Sequence, residues 1–419
     1  MVSIFDYGMN GEGVAKLDGK VVLIDGAIIG ENIEISILSD KGNYAIGKVD
    51  NIVSKSPHRI TPQCPYFFTC GGCSLQHMDY AEQLHFKKTL VQKTLKKIAR
   101  QDFSVSDTVP CDHDFGYRNK LSFSVDKKIC GFKHEKSDDI IDISYCPLAD
   151  DQTNKVLEIF RDFMAVYVTD TSPVRNLVIR NIAHQILVGV VTREHIDLSV
   201  FYTRLSQEFS SIGLYEIINT RRDSVVISGK INHIAGIKNI KINNFGLTYF
   251  VDLIGFHQTN INIQDKLYKK VLEFVSCGDS IINGFSGQGL LSAILSTKAK
   301  NVVGIEINKN AHLSAEKLKR DNHISNLQNV LGDFDKEIKK YLHADTVVLD
   351  PSKKGCGQSV HEIIGVKNII YISCNPIALA KDLKILLDDY TVEQIIPFDM
   401  FPQTNSVETL VKLKYKEKK

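Results

Sequence analysis

The 419-residue sequence has no apolar run long enough to span a bilayer, and its start, Met1-Val2-Ser3-Ile4-Phe5-Asp6, has neither a basic cap nor an apolar signal core. These absences predict a cytoplasmic protein with no membrane partner. An excess of one charge is missing too: 51 Lys+Arg against 49 Asp+Glu leave a net charge of +2, so any basic surface is local and bulk charge does not argue for nucleic acid. There is no internal repeat or low-complexity tract. What remains is a globular composition, 43% hydrophobic and 24% charged, in a chain too long for one compact domain. Nine cysteines in a reducing compartment argue against a disulfide framework and raise metal binding and catalysis instead. Nothing points to an obligate protein partner, and a monomer is expected.

Three regions follow from the pattern, and together they predict a multidomain α/β protein. Residues 1–55 read as short strands between glycine turns, over 21–24, 33–37 and 44–49, a small β-barrel of the oligonucleotide-binding kind. Residues 56–251 form a central α+β region. It opens with clustered cysteines and a basic helix whose Lys87, Lys88, Lys93, Lys96, Lys97 and Arg100 are set against Leu84, Val91, Leu95 and Ile98; alone, such a face is as readily solvated surface as binding site. Strands are predicted over 121–125, 177–179, 186–191 and 224–227. Residues 252–419 alternate strands, over 281–285, 302–306, 330–331, 347–350, 369–373 and 410–413, with helices, the mark of a Rossmann-like parallel sheet covered on both faces. The basic stretch Lys412 to Lys419 is predicted to fray.

The run Ser280-Ile281-Ile282-Asn283-Gly284-Phe285-Ser286-Gly287-Gln288-Gly289 is a buried strand entering a glycine turn, where Gly287 and Gly289 let a ligand approach the backbone. Glu306 closes the next strand about 20 residues on, the distance at which an acid reaches ribose hydroxyls. Gly332-Asp333 ends a third strand. Three such strand ends favour a nucleoside cofactor, with NAD the lesser option because Ser292 stands where a dinucleotide fingerprint has its third glycine.

Asp350, at a fourth strand end, and Cys374, at a fifth, are directed to the same crevice. Cys374 precedes Asn375-Pro376 and a helical stretch, and a helix N-terminus favours thiolate. Elsewhere, Cys64-x5-Cys70-x2-Cys73, with Cys146 as a fourth ligand and Cys111 and Cys130 as competitors, suits four-thiolate zinc and an iron-sulfur cluster equally by spacing.

Asp350-Pro351-Ser352-Lys353-Lys354-Gly355, Ser373-Cys374-Asn375-Pro376, the segment from Met400 to Glu408, and Phe256-His257-Gln258-Thr259-Asn260 strongly resemble the RNA (uracil-C5)-methyltransferase family, in particular its 23S ribosomal RNA branch. The resemblance covers nearly the whole chain. It implies that the first region is a TRAM barrel, that the central domain holds a [4Fe-4S] cluster on Cys64, Cys70, Cys73 and Cys146, and that the last domain binds S-adenosylmethionine. It further implies Cys374 as nucleophile toward uracil C6, Glu408 as the base removing the C5 proton, and cofactor contacts from Gln258, Phe285, Glu306, Asp333 and Asp350. Tyr117-Arg118-Asn119-Lys120 resembles a substrate-facing motif, which assigns Arg118 to RNA, with a salt-bridged structural arginine as the competing reading. Asn283 stands in place of the usual strand-end aspartate, Leu290 in place of a common polar residue, and Ser406 in place of a common histidine.

Overall fold

The computed structural model describes residues 1–167 and 173–417. At the N-terminal end, six strands form one sheet in the order Val2–Ser3, Asn32–Asp40, Tyr44–Ser54, Lys20–Ile24, Gly13–Leu17, Asp6–Tyr7. The first strand also contacts Gly13–Leu17 from the far side of the sheet, so the sheet closes around Val2, Ile4, Ala15, Val22, Ile24 and Ile33.

The central sheet has seven strands, ordered Lys230–Gly236, Ile212–Ile218, Gln185–Thr192, Val174–Ile182, Lys120–Asp126, Ile129–Lys133, Ile140–Asp142. Helices Asp151–Tyr167 and Ser199–Glu208 bury Phe160, Phe163 and Phe201 in the same core as strand residues Phe123, Leu177, Ile179 and Leu214. The strand predicted over 224–227 is absent. There the Asn219 amide donates to the carbonyls of Val225 and Val226 (both 2.8 Å), occupying groups that a ladder would need.

The C-terminal sheet consists of β1 (Ser280–Gly284), β2 (Asn301–Glu306), β3 (Leu327–Leu331), β4 (Thr346–Leu349), β5 (Asn368–Ser373), β6 (Tyr390–Phe398) and β7 (Glu408–Tyr415), ordered β3-β2-β1-β4-β5-β7-β6. Only β7 runs opposite to the other six strands. This places the carboxyl ends of β1, β2, β4 and β5 on one edge, with the start of β7 beside them.

Two segments from the central stretch of sequence pack with this sheet. The hairpin of Ile240–Asn244 and Leu247–Val251 shares a core with helix Ile261–Phe274 and β1. Helix Tyr80–Ala99 lies on helix Pro376–Leu386, and its Val91 and Leu95 join the core formed by Ile369, Tyr371 and Leu383. Its cationic side chains are largely neutralised. Lys88 pairs with Asp107 (2.8 Å), Lys96 with Asp102 (2.6 Å) and Lys93 with Asp6. Lys87, grouped above with the basic face, is completely buried and paired with Asp399. Lys412 and Lys414 lie within β7, and the Lys416 N–H donates to the Asp389 carbonyl (2.8 Å). The first half of the stretch predicted to fray is thus strand, and Lys418 and Lys419 lie outside the described residues. No described helix is long and apolar enough to cross a membrane.

Candidate active site

At the end of β1 the chain turns through Phe285, whose φ of +59° is unusual for a side chain with a Cβ. Two bonds fix the turn to β2: the Ser286 N–H donates to the Ile305 carbonyl (3.0 Å) and the Gly287 N–H to Glu306 Oε2 (2.8 Å). Glu306 Oε1 accepts from the Asn308 N–H (2.6 Å), so its carboxylate bridges the strand end and the glycine turn. Gly289 is required sterically: a Cβ there would lie 2.6 Å from that of Ala315, in helix Lys309–Asp321. Asp333 caps the short helix Phe334–Glu337 by accepting from the Asp335 N–H (3.1 Å).

Two departures noted in the sequence meet in space. Asn283, in the aspartate position, donates to Ser292 Oγ (2.8 Å), the residue in the third-glycine position. Gly304 leaves the room for this, since a Cβ on it would lie 2.8 Å from Ser292 Oγ. The Asn283 Oδ1 has no hydrogen-bond partner among the described residues.

A cavity of about 1510 Å3 opens at this sheet edge. Gln258, Phe285 and Gly287 line one part, and Asp350, Cys374 and Glu408 another, with Arg118 on the same wall. Gly289, Glu306 and Asp333 are not among the lining residues: Glu306 acts on the lining through its bond to Gly287, and Asp333 is engaged in capping its own helix. Cys374 sits one residue before the cap of helix Pro376–Leu386, where Asn375 Oδ1 accepts from the Ile377 N–H (3.0 Å) and Asn375 Nδ2 donates to the Lys353 carbonyl (2.8 Å). The loops bearing Asp350 and Cys374 are thereby joined. Glu408 opens β7 and is 3% exposed.

Electrostatics correct one expectation. The Cys374 thiol is not poised as thiolate by its helix: burial first, then the negative charge of Glu408, push it up to about 11, with Lys353 pulling it down and Asp350 pushing it up. Burial raises both carboxyls, and the charge of Asp350 raises Glu408 further. Neither forms an ion pair among the described residues. Burial thus disfavours the charged form of both carboxyls, and no ion-paired cation among the described residues offsets it. Iodoacetamide alkylation of Cys374 in the free protein, followed by peptide mass spectrometry, is expected to accelerate about tenfold per pH unit from pH 7 to 9. A plateau by pH 8 would contradict the raised thiol.

Cys64, Cys70, Cys73 and Cys146 line one separate cavity of about 390 Å3, which Cys111 and Cys130 do not reach. Cys111 instead lies 3.2 Å from Asn260 Nδ2. Burial pushes Cys73 up to about 12 and Cys146 up to about 11. Among the described residues, no three His, Cys, Asp or Glu side chains are placed to hold a single metal ion. Arg118 lines both cavities and makes no ion pair among the described residues, which leaves the salt-bridged reading of it without support.

Sequence reasoning missed Gln83 and Lys87, which grip the loop leading to Glu408. The helical phase held the signal, because residues 87 and 83 fall one and two turns before Val91 on its buried face.

The tRNA (Uracil-5-)-methyltransferase family profile matches residues 79–416, and the TRAM domain profile matches residues 2–49. Relatives named "uncharacterized RNA methyltransferase" include a Clostridium tetani protein, 31% identical across 98% of this chain and 95% of its own length. Another, from Clostridium acetobutylicum, is 31% identical across 100% and 97%. The crystal structure of Pyrococcus abyssi tRNA (uracil-54, C5)-methyltransferase in complex with S-adenosyl-L-homocysteine superposes with a TM-score of 0.81, at 27% identity, over 99% of both chains. The chain thus belongs to the tRNA (uracil-5-)-methyltransferase family of S-adenosylmethionine-dependent RNA methyltransferases, with a TRAM domain preceding the family's conserved span.

Proposed function

We propose that this chain methylates carbon 5 of a uridine in structured RNA through a covalent adduct on Cys374. One observation carries the reading: a thiol and two buried carboxyls with raised pKa share a cavity with the glycine turn of a nucleoside-binding sheet. Carboxyls that burial disfavours in their charged form, with no ion-pair partner among the described residues, fit a positively charged ligand. Asn283, which also lines the cavity, adds an amide oxygen without a hydrogen-bond partner among the described residues.

By the sequence resemblance, Gln258, Phe285, Gly287 and Asp350 on the cavity wall, with Gly289, Glu306 and Asp333 outside its lining, would hold S-adenosylmethionine, which would supply an electrophilic methyl group to C5. The protein's task is to make C5 nucleophilic. The Cys374 thiol first gives its proton to solvent; its Sγ then bonds to C6, the C5=C6 electron pair moves toward O4, and the resulting enolate makes C5 the attacking carbon. After methylation, Glu408 takes the C5 proton, the C–H electron pair restores C5=C6, and the C6–S bond breaks to return the thiolate. The target base must leave its stack to reach Cys374.

The cavity wall continues from the barrel, at Gly26 and Lys48, past Phe68 and Arg118 to Cys374. Phe68 is 66% exposed and Phe256 72%, aromatic faces on which flanking bases can stack. Phe68→Ala is expected to weaken RNA binding by about 1–3 kcal/mol and to leave cofactor affinity unchanged in titration calorimetry. Unaltered RNA affinity would remove Phe68 from the interface.

For the four thiols we favour a [4Fe-4S] cluster. The sequence resemblance supplies this preference over zinc, and what supports it here is that the four thiols line one cavity. The role of the cluster is to order the loops that meet RNA. Anaerobically purified protein is expected to show a broad iron-sulfur absorption that Cys73→Ser abolishes. Colourless, zinc-containing, active protein would contradict the assignment.

The substrate implied by the sequence resemblance is 23S ribosomal RNA. A second reading, the T-loop uridine of transfer RNA, is favoured by the likeness to the Pyrococcus abyssi enzyme, which spans the barrel as well, so the barrel alone does not select ribosomal RNA. Methyl incorporation into purified 23S ribosomal RNA and transfer RNA, mapped by nuclease digestion and mass spectrometry, separates them. Incorporation into neither, or at any position other than uridine C5, would defeat the proposal.

A further inference from the structure

The loop over 399–407, which delivers Glu408 to the cavity, is gripped at Gln403 by segments outside the catalytic sheet. The Gln403 carbonyl accepts from the backbone N–H groups of Ser74 (3.0 Å) and Leu75 (3.1 Å), which directly follow Cys73. Helix Tyr80–Ala99 holds Gln403 twice: its N–H donates to Gln83 Oε1 (3.0 Å), and its Oε1 accepts from Gln83 Nε2 (2.9 Å). Gln403 Nε2 donates to Asp114 Oδ2 (2.9 Å), on the segment leading to Arg118. The residue is 2% exposed, and its φ of +68° lies in the left-handed region. Neighbouring contacts brace the same loop. Buried Lys87 pairs with Asp399 and donates to the Phe401 carbonyl (2.9 Å), Tyr80 OH donates to Asp399 Oδ2 (2.8 Å), and the Asn405 N–H donates to Ser74 Oγ (2.9 Å).

We propose that Gln403 is a positioning residue that ties the cysteine hairpin and the Arg118 segment to the loop carrying the proton-abstracting carboxylate. Removal of the C5 proton, rather than addition of the thiol, is the step that depends on it. The inference rests on the function proposed above. Its selectivity follows from connectivity: Cys374 is delivered by β5 and fixed through Asn375, and none of the Gln403 contacts involves either residue. A displaced Glu408 leaves the adduct able to form but slow to resolve, because proton transfer needs the acceptor within hydrogen-bond reach.

Two variants of the full-length protein test this. Gln403→Asn tolerates the left-handed backbone but is too short to hold Gln83 and Asp114 together. Gln83→Met keeps the helix volume while removing both side-chain bonds to Gln403. Two rates are measured: formation of the stalled complex on RNA carrying 5-fluorouridine, which needs no C5 proton removal, and methyl turnover on the same RNA carrying uridine. Trapping is expected to stay within about threefold of the parent, while turnover falls about ten- to a hundredfold and a covalent complex accumulates on uridine RNA. Equal loss of both rates, or full turnover in both variants, would overturn the inference. Trapping by the parent protein is the control: its failure defeats the uridine reading itself, whereas equal losses beside an intact control defeat only the role of Gln403.

Discussion

Cys374→Ala eliminates methylation, lowering turnover by at least about 10^4-fold, while affinity for S-adenosylmethionine stays within about twofold in titration calorimetry. The size of the loss follows from the substrate. C5 of uracil is too weak a nucleophile to take a methyl group unaided, and conjugate addition at C6 is what activates it. The retained affinity follows from the geometry. The glycine turn is fixed by Ser286 to Ile305 and by Gly287 to Glu306, independently of the thiol. Because burial and nearby carboxyls keep the thiol protonated in the free protein, the substitution also removes no charge from the cofactor's surroundings. Methyl transfer from radiolabelled cofactor measures the first effect. Turnover near that of the parent would take Cys374 out of the mechanism.

Glu408→Gln is expected to permit adduct formation and block its resolution, so that a covalent protein–RNA species appears on a denaturing gel with ordinary uridine RNA and turnover falls by about 10²–10⁴-fold. Glutamine keeps the shape of the buried side chain but cannot accept the C5 proton. The same variant separates mechanism from stability. A carboxyl whose folded pKa is raised contributes stability that is full below its unfolded pKa and is lost as pH rises through the folded value. Burial and Asp350 raise Glu408 in this way. The variant should therefore melt no lower than the parent at pH 8, and its advantage should shrink as the pH falls toward 5. Absence of the adduct in a stably folded variant would count against Glu408 as the base.

The catalytic sheet was legible where burial on both faces leaves continuous apolar runs, as in Ile369 to Ile372. The strand Tyr390–Phe398 was not, because Glu393, Gln394 and Pro397 interrupt its pattern. It lies at the sheet edge, where such residues are tolerated. Strand ends in the sequence direct Asp350 and Cys374 to one crevice, and both line one cavity, whereas Glu408, Gln258 and Arg118 enter only through the family resemblance. The site's electrostatics were not legible, since the helix start behind Cys374 is visible in the sequence whereas the carboxyls facing the thiol come from β4 and β7. Long-range pairs such as Lys87 with Asp399 and Gln83 with Gln403 join residues over 300 positions apart. A helical wheel places Gln83 and Lys87 on the buried side, but it cannot name their partners.

The most direct measurement is peptide mass spectrometry of the protein after incubation with S-adenosylmethionine and RNA carrying 5-fluorouridine, where fluorine cannot leave C5 as a proton. The expected result is a methylated fluoropyrimidine nucleotide attached to the peptide containing Cys374, in stable form. Complete recovery of that peptide unmodified, beside active methylation of ordinary RNA, would contradict covalent activation of the ring.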